Sequence, residues 1–197
     1  MEMLKNVAGV DYGAKWAGTT AIAFIERQKI LCLQSTSKQD ADAFIQAFVK
    51  EKAIQLVGLD APLSLPKVYK NEEKEGDYFY READKELGAM SPMFLGGLTA
   101  RAMQLQAYLK KNAIQVIEVY PAALAKKLSL GQFHYKKSLS LVCQATKIIQ
   151  EYVGYQIHSK PENWHQFDAI LALASTLAYQ NQKAQYFGKA NEGLIWV

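Results

Sequence analysis

Four carboxylates stand at the ends of apolar segments that lie far apart in the chain: Asp11, Asp60, Glu118 and Asp168. A carboxylate at the end of a buried strand is unfavourable unless it binds a cation or accepts hydrogen bonds. A single Asp-x-Gly, such as Asp11-Tyr12-Gly13, is also typical of a hairpin in which the aspartate caps the turn. The recurrence of the pattern along the chain favours one shared site over separate turns.

The chemistry of such a site follows from its oxygen ligands. Carboxylates held close together raise one another's pKa unless cations lie between them. Oxygen ligands without a cysteine cluster select hard cations such as Mg²⁺ or Mn²⁺. Two such ions about 4 Å apart hold the attacking and leaving oxygens of an in-line phosphoryl displacement. The residue types therefore predict a two-metal site for phosphoryl chemistry.

The first half of the chain supplies strands that would position Asp11 and Asp60. Segments rich in Val, Ile, Thr and Phe predict three successive strands over Asn6–Tyr12, Gly18–Glu26 and Lys29–Gln34. An amphipathic helix from Asp40 to Val49 follows, and then a strand over Ile54–Leu59. A strand–helix–strand connection of this length predicts a parallel crossover.

The second half is predicted to be mostly helical, after an irregular and partly helical insertion at about 63–98 that carries Tyr78-Phe79-Tyr80. The further predicted elements are helices over Ala100–Lys111, Pro121–Leu128 and Ser138–Tyr152, a strand over Gln115–Val119, a long helix opened by His165, and a closing strand over Leu194–Val197. We interpret residues 1–197 as one domain. Functional groups gather at the carboxyl ends of parallel strands, so Asp11, Asp60 and Glu118 should meet there, joined by Asp168 from the last helix.

The composition is that of a globular protein with a modest excess of positive charge. Of 197 residues, 50% are hydrophobic and 21% charged, which excludes wholesale disorder. The net charge of +4 permits an anionic partner without requiring one. Lysine doublets at 110–111, 126–127 and 136–137 are typical either of solvated helix ends or of phosphate contacts. Two cysteines without metal-ligand spacing, and no apolar run long enough to cross a bilayer, predict a cytoplasmic protein with no membrane partner.

These motifs carry a resemblance that extends nearly from end to end. The element order resembles the α/β fold of ribonuclease H-like proteins, and His165-x-x-Asp168-Ala169 is similar to the last helix of RuvC-type Holliday-junction resolvases. More closely, the chain resembles a bacterial and archaeal family of predicted RNase H-like nucleases whose function is unassigned. The matching pieces are Gly9-Val10-Asp11 with Gly18, Leu59-Asp60-Ala61-Pro62-Leu63, Arg81 with Asp84, Thr99-x-Arg101, Glu118-Val119-Tyr120-Pro121, Phe167-Asp168-Ala169 and Glu192-Gly193-Leu194-Ile195.

The resemblance implies a fold and a set of metal ligands. It implies a mixed five-stranded sheet with its first three strands antiparallel, its later strands parallel, and helices on both faces. Asp11 looks like the central metal-bridging carboxylate, Asp60 and Glu118 like ligands on later strands, and Asp168 like the ligand on the final helix. Two Mg²⁺ or Mn²⁺ ions are the implied cofactors. No basic and aromatic set suited to a four-way junction is evident, so the resemblance does not extend to junction resolution.

The resemblance also suggests auxiliary residues around the metal ions. Arg81 and Arg101 are expected to contact phosphate, with Lys15 as a further cation, although Arg81 also has the spacing to pair with Asp84 on a helix. His165 lies one turn before Asp168 and is read either as orienting a water or phosphate or as a helix-start residue without a role. Glu192 is read either as an extra ligand or as a structural hydrogen-bond acceptor.

The leading functional hypothesis is a metal-dependent nuclease that acts on DNA or RNA. Asp11-Tyr12-Gly13 with Gly18-Thr19 also resembles the phosphate-binding hairpin of the actin, sugar-kinase and Hsp70 ATPase superfamily, in which two such domains pair. A homodimer would supply the second domain. A third hypothesis is an RNase H-like module that binds nucleic acid without cutting it. A small phosphorylated substrate, the choice of DNA or RNA, and endo- or exonuclease action are all left open.

Overall fold

A single mixed sheet of eight strands holds the structure together. The computed structural model describes residues 6–70 and 76–197; residues 1–5 of the predicted domain and 71–75 of its insertion lie outside this range. The strands are β1 (Val7–Asp11), β2 (Ala21–Glu26), β3 (Lys29–Gln34), β4 (Leu56–Asp60), β5 (Gln115–Val119), β6 (Gln156–Ile157), β7 (Tyr186–Lys189) and β8 (Gly193–Trp196). Their order in the sheet is β6-β3-β2-β1-β4-β5-β8-β7.

The strand directions agree with the expectation for the centre of the sheet, but the expected number of strands is wrong. β1, β2 and β3 are antiparallel neighbours, and β4 and β5 extend the sheet parallel to β1, as predicted. The closing strand is β8, parallel to β5. The sheet has eight strands instead of five because β6 adds a two-residue edge beside β3 and β7 pairs with β8. Such short edge pieces carry too few residues for a period-two pattern.

Helices cover both faces of the sheet, as expected. They are α1 (Ala41–Glu51), α2 (Glu82–Leu87), α3 (Pro92–Leu95), α4 (Gly97–Lys111), α5 (Pro121–Lys127), α6 (Val142–Val153) and α7 (Trp164–Gln180). One buried cluster joins the sheet to α5, α6 and α7, and a second joins the opposite face to α1 and α4. None of the helices in the described ranges is both long and apolar enough to span a membrane.

Helix α7 lies unusually close to the centre of the sheet. A Cβ atom at Gly9 in β1 would stand 1.9 Å from the Leu173 nitrogen, and one at Gly58 in β4 would stand 1.9 Å from Thr176 Oγ1. The two strands therefore need glycine where the helix crosses them. Small alanines on α7, including Ala169 and Ala172, are fully buried in this contact. The contact places the start of α7 next to the carboxyl ends of β1 and β4.

Candidate active site

Asp11 and Asp60 are direct neighbours at the carboxyl ends of β1 and β4. In the parallel pairing of β1 with β4, Gly9 lies opposite Gly58, and Asp11 lies opposite Asp60 two residues further along each strand. Because side chains alternate along a strand, both aspartates lie on the face that Gly9 and Gly58 present to α7. The predicted meeting of these two carboxylates is thus a direct result of strand register.

Asp168 joins the two aspartates from the second turn of α7. Asn163 caps the helix by accepting a hydrogen bond from the Gln166 nitrogen at 3.1 Å. Asp168 is 2% exposed. Its Oδ1 accepts a hydrogen bond from the Tyr135 hydroxyl at 2.8 Å, and its Oδ2 accepts one from the Lys136 ammonium. A buried carboxylate is therefore stabilised by one phenol and one cation.

The three aspartates influence one another's protonation. Burial and the nearby charges of Asp11 and Asp168 hold the pKa of Asp60 well above its usual range. Burial also raises the pKa of Asp168, and the Lys136 ammonium opposes that rise. The same ammonium lowers the pKa of Asp60, although less strongly than the aspartates raise it. The cluster is short of positive charge, which a bound cation would supply.

His165 connects the helix to the first strand. Its Nδ1 lies 2.8 Å from Asp11 Oδ2, and this hydrogen bond raises the pKa of the imidazole. When Nδ1 donates this hydrogen bond, the ring fixes the orientation of Asp11 in both the neutral and the protonated form of the imidazole. In the neutral form, Nε2 is then the nitrogen that can take up a proton. The contact gives His165 a partner in the candidate site, and its role in orienting a water or a phosphate stays a prediction.

Glu118 does not share this arrangement, and the register explains why. Leu59, not Asp60, is paired with Glu118, and Ile117 is paired with Gly58. By alternation, Glu118 leaves β5 on the face opposite to Asp60. Its carboxylate accepts two hydrogen bonds from Arg81, at 2.6 and 2.7 Å, and one from the Leu63 nitrogen at 2.8 Å. Glu118 therefore anchors Arg81 in this structure, although its charge still adds to the rise in the pKa of Asp60.

Arg81 is fully buried in a network that uses its whole guanidinium group. Nε and Nη2 donate to Asp84 at 3.0 and 2.6 Å, and Nη1 donates to Ser64 Oγ at 2.9 Å. Together with the two bonds to Glu118, these contacts occupy its five N–H donors. The predicted pairing of Arg81 with Asp84 is present. A phosphate contact would require this network to break.

Arg101 and Lys15 lie in a second polar group at the far side of the β1 end. Arg101 Nη2 donates to Asp42 Oδ1 at 2.8 Å, and Nη1 donates to the Gly13 carbonyl at 3.2 Å. The guanidinium also stacks 4.7 Å from the Tyr12 ring centroid. Lys15 Nζ lies 3.3 Å from Asp40 Oδ2. Both cations therefore fasten the loop after β1 to α1.

Glu192 is a structural acceptor in this structure. Its carboxylate is buried and accepts hydrogen bonds from the Lys67 nitrogen at 2.9 Å and the Glu82 nitrogen at 2.8 Å. Glu82 is the first residue of α2, so the negative charge also lies at a helix N-terminus, where it is favourable. Of the two readings open for Glu192, hydrogen-bond acceptor is the one whose contacts are present.

Tyr135 and Lys136 were missed as site residues because no local motif marks them. They lie in a turn after α5, where Lys136 has a left-handed backbone with φ of 61°. The Tyr135 ring packs 5.5 Å from Trp164 and 5.8 Å from Phe167, between ring centroids, which holds the turn against the start of α7. The doublet Lys136-Lys137 is thus not a solvated helix end. An aromatic residue directly before a lysine was the only signal.

Asp11 and Asp60 open into a cavity of about 340 Å³. The buried network of Arg81, Asp84 and Glu118 also lines it, and most of the remaining wall is apolar, including Met90, Leu95 and Leu98. Volumes of this order are typical of ligand-binding clefts. The cavity makes the carboxylate cluster accessible to a small ligand or to part of a larger one.

The donor set fits a hard cation, but its present conformation is not that of a preformed metal site. Within residues 6–70 and 76–197, no group of three or more His, Cys, Asp or Glu side chains is arranged to hold a metal ion. Asp168 is instead neutralised by the Lys136 ammonium. Oxygen donors are the ligands that Mg²⁺ and Mn²⁺ prefer. A bound cation would also favour the ionised form of Asp60, whose pKa is raised in its absence. Asp11, Asp60 and Asp168 would hold the ion once Lys136 withdraws.

Comparisons with known proteins add no family assignment. No protein-family model matches the chain, and no curated protein matches it. The resemblance to RNase H-like nucleases therefore depends on the sequence motifs given above.

Proposed function

We propose that this protein is a metal-dependent phosphodiesterase of the RNase H-like class that hydrolyses nucleic acid. The observation that carries the proposal is the pair Asp11 and Asp60 side by side, with Asp168 brought to them by α7. Buried carboxylates whose pKa is raised, as it is for Asp60 and Asp168, are typical of functional sites. The antiparallel β1–β3 followed by parallel β4 and β5 is the arrangement that the resemblance implies.

The side chains of the chain have distinct roles in this proposal. Bound Mg²⁺ or Mn²⁺ would supply an activated water and stabilise the leaving oxygen. Asp11, Asp60 and Asp168 hold the ions, and His165 keeps Asp11 in position through Nδ1. The Lys136 side chain is 49% exposed and, when it leaves Asp168, can donate hydrogen bonds to a phosphate oxygen. His165 Nε2 can accept a proton from the attacking water.

A second candidate is a nucleic-acid-binding module that does not cut. The observation that favours it is the Lys136–Asp168 ion pair, which gives Asp168 a cation from the protein itself. In this alternative the ammonium stays in place and the site never loads a metal ion. The two cysteines are free thiols, which suits the reducing cytoplasm in which we expect either protein to act.

A cleavage assay separates the two candidates. Labelled single-stranded, duplex, hybrid and branched DNA and RNA are incubated with Mn²⁺, Mg²⁺ or a chelator. The proteins are the wild type, Asp168→Asn and the control Glu151→Gln, which removes an exposed carboxylate on α6. We expect metal-dependent cleavage by the wild type and control. Asp168→Asn should lower it by at least about 100-fold, because even the outer partners of metal ligands are worth ~10–100-fold.

The remaining outcomes point elsewhere. Binding of nucleic acid without cleavage under any metal condition would overturn the nuclease in favour of the binding module. Cleavage that persists in Asp168→Asn would mean that a contaminating enzyme or another site is responsible. Tight binding of ATP by calorimetry, with no binding of nucleic acid, would favour the ATPase-superfamily alternative.

A further inference from the structure

An exposed aromatic group lies beside the cavity, and nothing in the proposed hydrolysis uses it. Phe79 is 52% exposed, Phe94 63% and the neighbouring Met90 61%. The rings of Phe79 and Phe94 lie 5.5 Å apart at an angle of 35°, and Tyr80 packs edge-on against Phe94 at 5.8 Å. Large apolar side chains grouped at a protein surface mark interaction sites. We call Phe79, Met90 and Phe94 the aromatic shelf.

The shelf is held in place by polar contacts. Asp77 Oδ1 accepts hydrogen bonds from the Phe79 nitrogen at 2.8 Å and from the Tyr80 nitrogen at 2.9 Å. Asp77 is also paired with Lys85 at 2.7 Å. The Ser91 hydroxyl donates a hydrogen bond to the Phe79 carbonyl, which ties this segment to the start of α3. The rings are therefore presented on a fixed backbone, which lowers the entropy cost of binding.

The shelf is continuous with the carboxylate cavity. Met90 belongs to both, and Phe94 directly precedes Leu95, which lines the cavity wall. Asp11, Asp60 and Tyr120 line the same cavity. Tyr120 also lies within electrostatic range of Lys136 and Asp168. One continuous surface thus runs from exposed aromatic rings through the cavity to the carboxylates of Asp11 and Asp60. The Lys136 ammonium lies close enough to lower the pKa of Asp60.

We propose that the aromatic shelf stacks unpaired bases of a single-stranded nucleic acid whose phosphate lies at Asp11, Asp60 and Lys136. The inference rests on the proposed function and narrows its substrate to single-stranded segments. With the metal ion of the proposed function bound, a nucleotide would fit this surface, because its flat apolar base would meet the aromatic shelf and its anionic phosphate would meet the ion and the Lys136 ammonium. Bases stack on aromatic side chains irrespective of sequence. Bases paired inside a duplex cannot present their faces to the shelf.

The test measures affinity separately from cleavage. Fluorescence anisotropy of labelled 12-nucleotide single strands and of the matching duplex is recorded in chelator and in Ca²⁺. The proteins are the wild type, Phe79→Ala, Phe94→Ala, Phe94→Trp and the control Tyr108→Ala, which removes an exposed ring on α4. We expect single strands to bind more tightly than duplex. Each Phe→Ala change should weaken single-strand binding by about 5- to 150-fold, while Phe94→Trp and Tyr108→Ala keep it.

Control measurements make each outcome decisive. Thermal melts establish that the variants are folded, and Met90→Ala replaces any variant that is not. The base-stacking proposal is contradicted if the Phe→Ala variants keep their affinity for single strands, or if the wild type binds duplex equally well. Mn²⁺-dependent cleavage by the same preparations would still support the proposed nuclease. No binding of any oligonucleotide and no cleavage overturns both. A last outcome is that the protein self-associates but binds no oligonucleotide. If Phe94→Ala abolishes that self-association and Tyr108→Ala does not, the base-stacking proposal is wrong and the aromatic shelf is an interface between copies of the chain.

Discussion

Asp60 and Asp168, two of the three aspartates at the candidate site, depend on one ammonium group for their balance of charge. Lys136 contacts Asp168 directly and also lowers the pKa of Asp60. Asp11 has His165 as its partner instead. The lysine is half exposed, whereas the Asp168 side chain is 3% exposed, so the lysine is the partner that can move. At the residue scale, the site therefore combines aspartates held in the protein interior with a lysine whose side chain is half exposed to solvent.

Replacing the lysine tests this description. In Lys136→Met we expect the metal-free protein to lose about 1 kcal/mol of stability, because water screens a half-exposed ion pair and reduces its worth. The same variant should bind Mn²⁺ more tightly, since no ammonium competes for Asp168. Urea unfolding in chelator and isothermal titration with Mn²⁺ measure the two effects.

The matched control is Lys137→Met, which removes the exposed neighbour of Lys136. It should leave both quantities unchanged. Weaker Mn²⁺ binding in Lys136→Met would show that the ammonium assists the metal instead of competing with it.

At the scale of elements, the approach of α7 to β1 and β4 decides where Asp168 stands. Gly9 and Gly58 leave room for the helix backbone, and Thr176 Oγ1 lies in the space next to Gly58. That hydroxyl donates to the Ala172 carbonyl at 2.6 Å within α7. A shift of the helix would therefore move the site and the core together.

An added methyl group at Gly58 tests this coupling. Its Cβ would lie 1.9 Å from Thr176 Oγ1 and 3.2 Å from the Ala172 carbonyl oxygen, so the Thr176 side chain must rotate or α7 must move. We expect Gly58→Ala to lower stability by about 1–3 kcal/mol, as overpacking does, and to weaken Mn²⁺ binding. Gly131→Ala is the control, since nothing lies within 4 Å of its Cβ position.

The double variant Gly58→Ala/Thr176→Ala should recover part of both losses, because it removes the clashing hydroxyl. Unfolding free energies and Mn²⁺ titrations of the single and double variants complete the cycle. Stability that falls in Gly58→Ala while Mn²⁺ affinity stays constant would contradict the coupling of helix position to the site.

A second element-scale contact fastens the insertion to the sheet. Arg81, at the start of α2, bridges Asp84 and Glu118 with all three side chains buried. Removing one member of such a network leaves uncompensated charges, so Arg81→Leu should cost about 3–5 kcal/mol in urea unfolding. Arg81→Lys should restore little, because an ammonium cannot reproduce the two-pronged contacts.

The alternative role of Arg81 predicts a different result. A residue that contacts phosphate would, when replaced, weaken nucleic-acid binding and leave the unfolding free energy nearly unchanged. Measurement of both quantities on the same preparations of Arg81→Leu therefore decides between structural anchor and phosphate contact.

At the scale of the whole molecule, the raised pKa values at the site make stability depend on pH, and the proposed metal ion would add to stability when bound. Asp60 and Asp168 have raised pKa values in the folded protein, so their ionisation lowers stability as the pH rises above about 4, where the unfolded carboxyls ionise. His165 also has a raised pKa, and its stabilisation is lost as the pH rises through that value. All three groups therefore act in the same direction, and stability falls as the pH rises.

We therefore expect the melting temperature in chelator to rise as the pH falls from 8 to about 5. At pH 8, Mn²⁺ at 100 times its Kd should stabilise the protein by about 2.7 kcal/mol. The same Mn²⁺ concentration should stabilise it less at pH 5, because protons compete for the same oxygens. Scanning calorimetry at the two pH values measures this. Asp60→Asn should reduce both the pH dependence and the metal effect, whereas an unchanged response would remove Asp60 from the metal site.

The sequence by itself determined the order of the central elements and the closeness of Asp11 and Asp60 at the site. Apolar strands that end on Asp11 and Asp60, with a helix between them, require a parallel crossover that brings these carboxylates together. The alanine-rich helix that begins near His165 required a close packing partner. These features follow from local patterns and from chain connectivity, which are readable along the sequence.

Only the tertiary structure decided how the remaining charges are used. A register offset of one residue turns Glu118 to the other face of the sheet, and no local pattern reveals that offset. Arg81 and Lys136 are both basic residues near acidic ones, yet the first is buried in a network and the second is half exposed at the site. Their roles depend on contacts between segments far apart in the chain, which only the folded structure brings together.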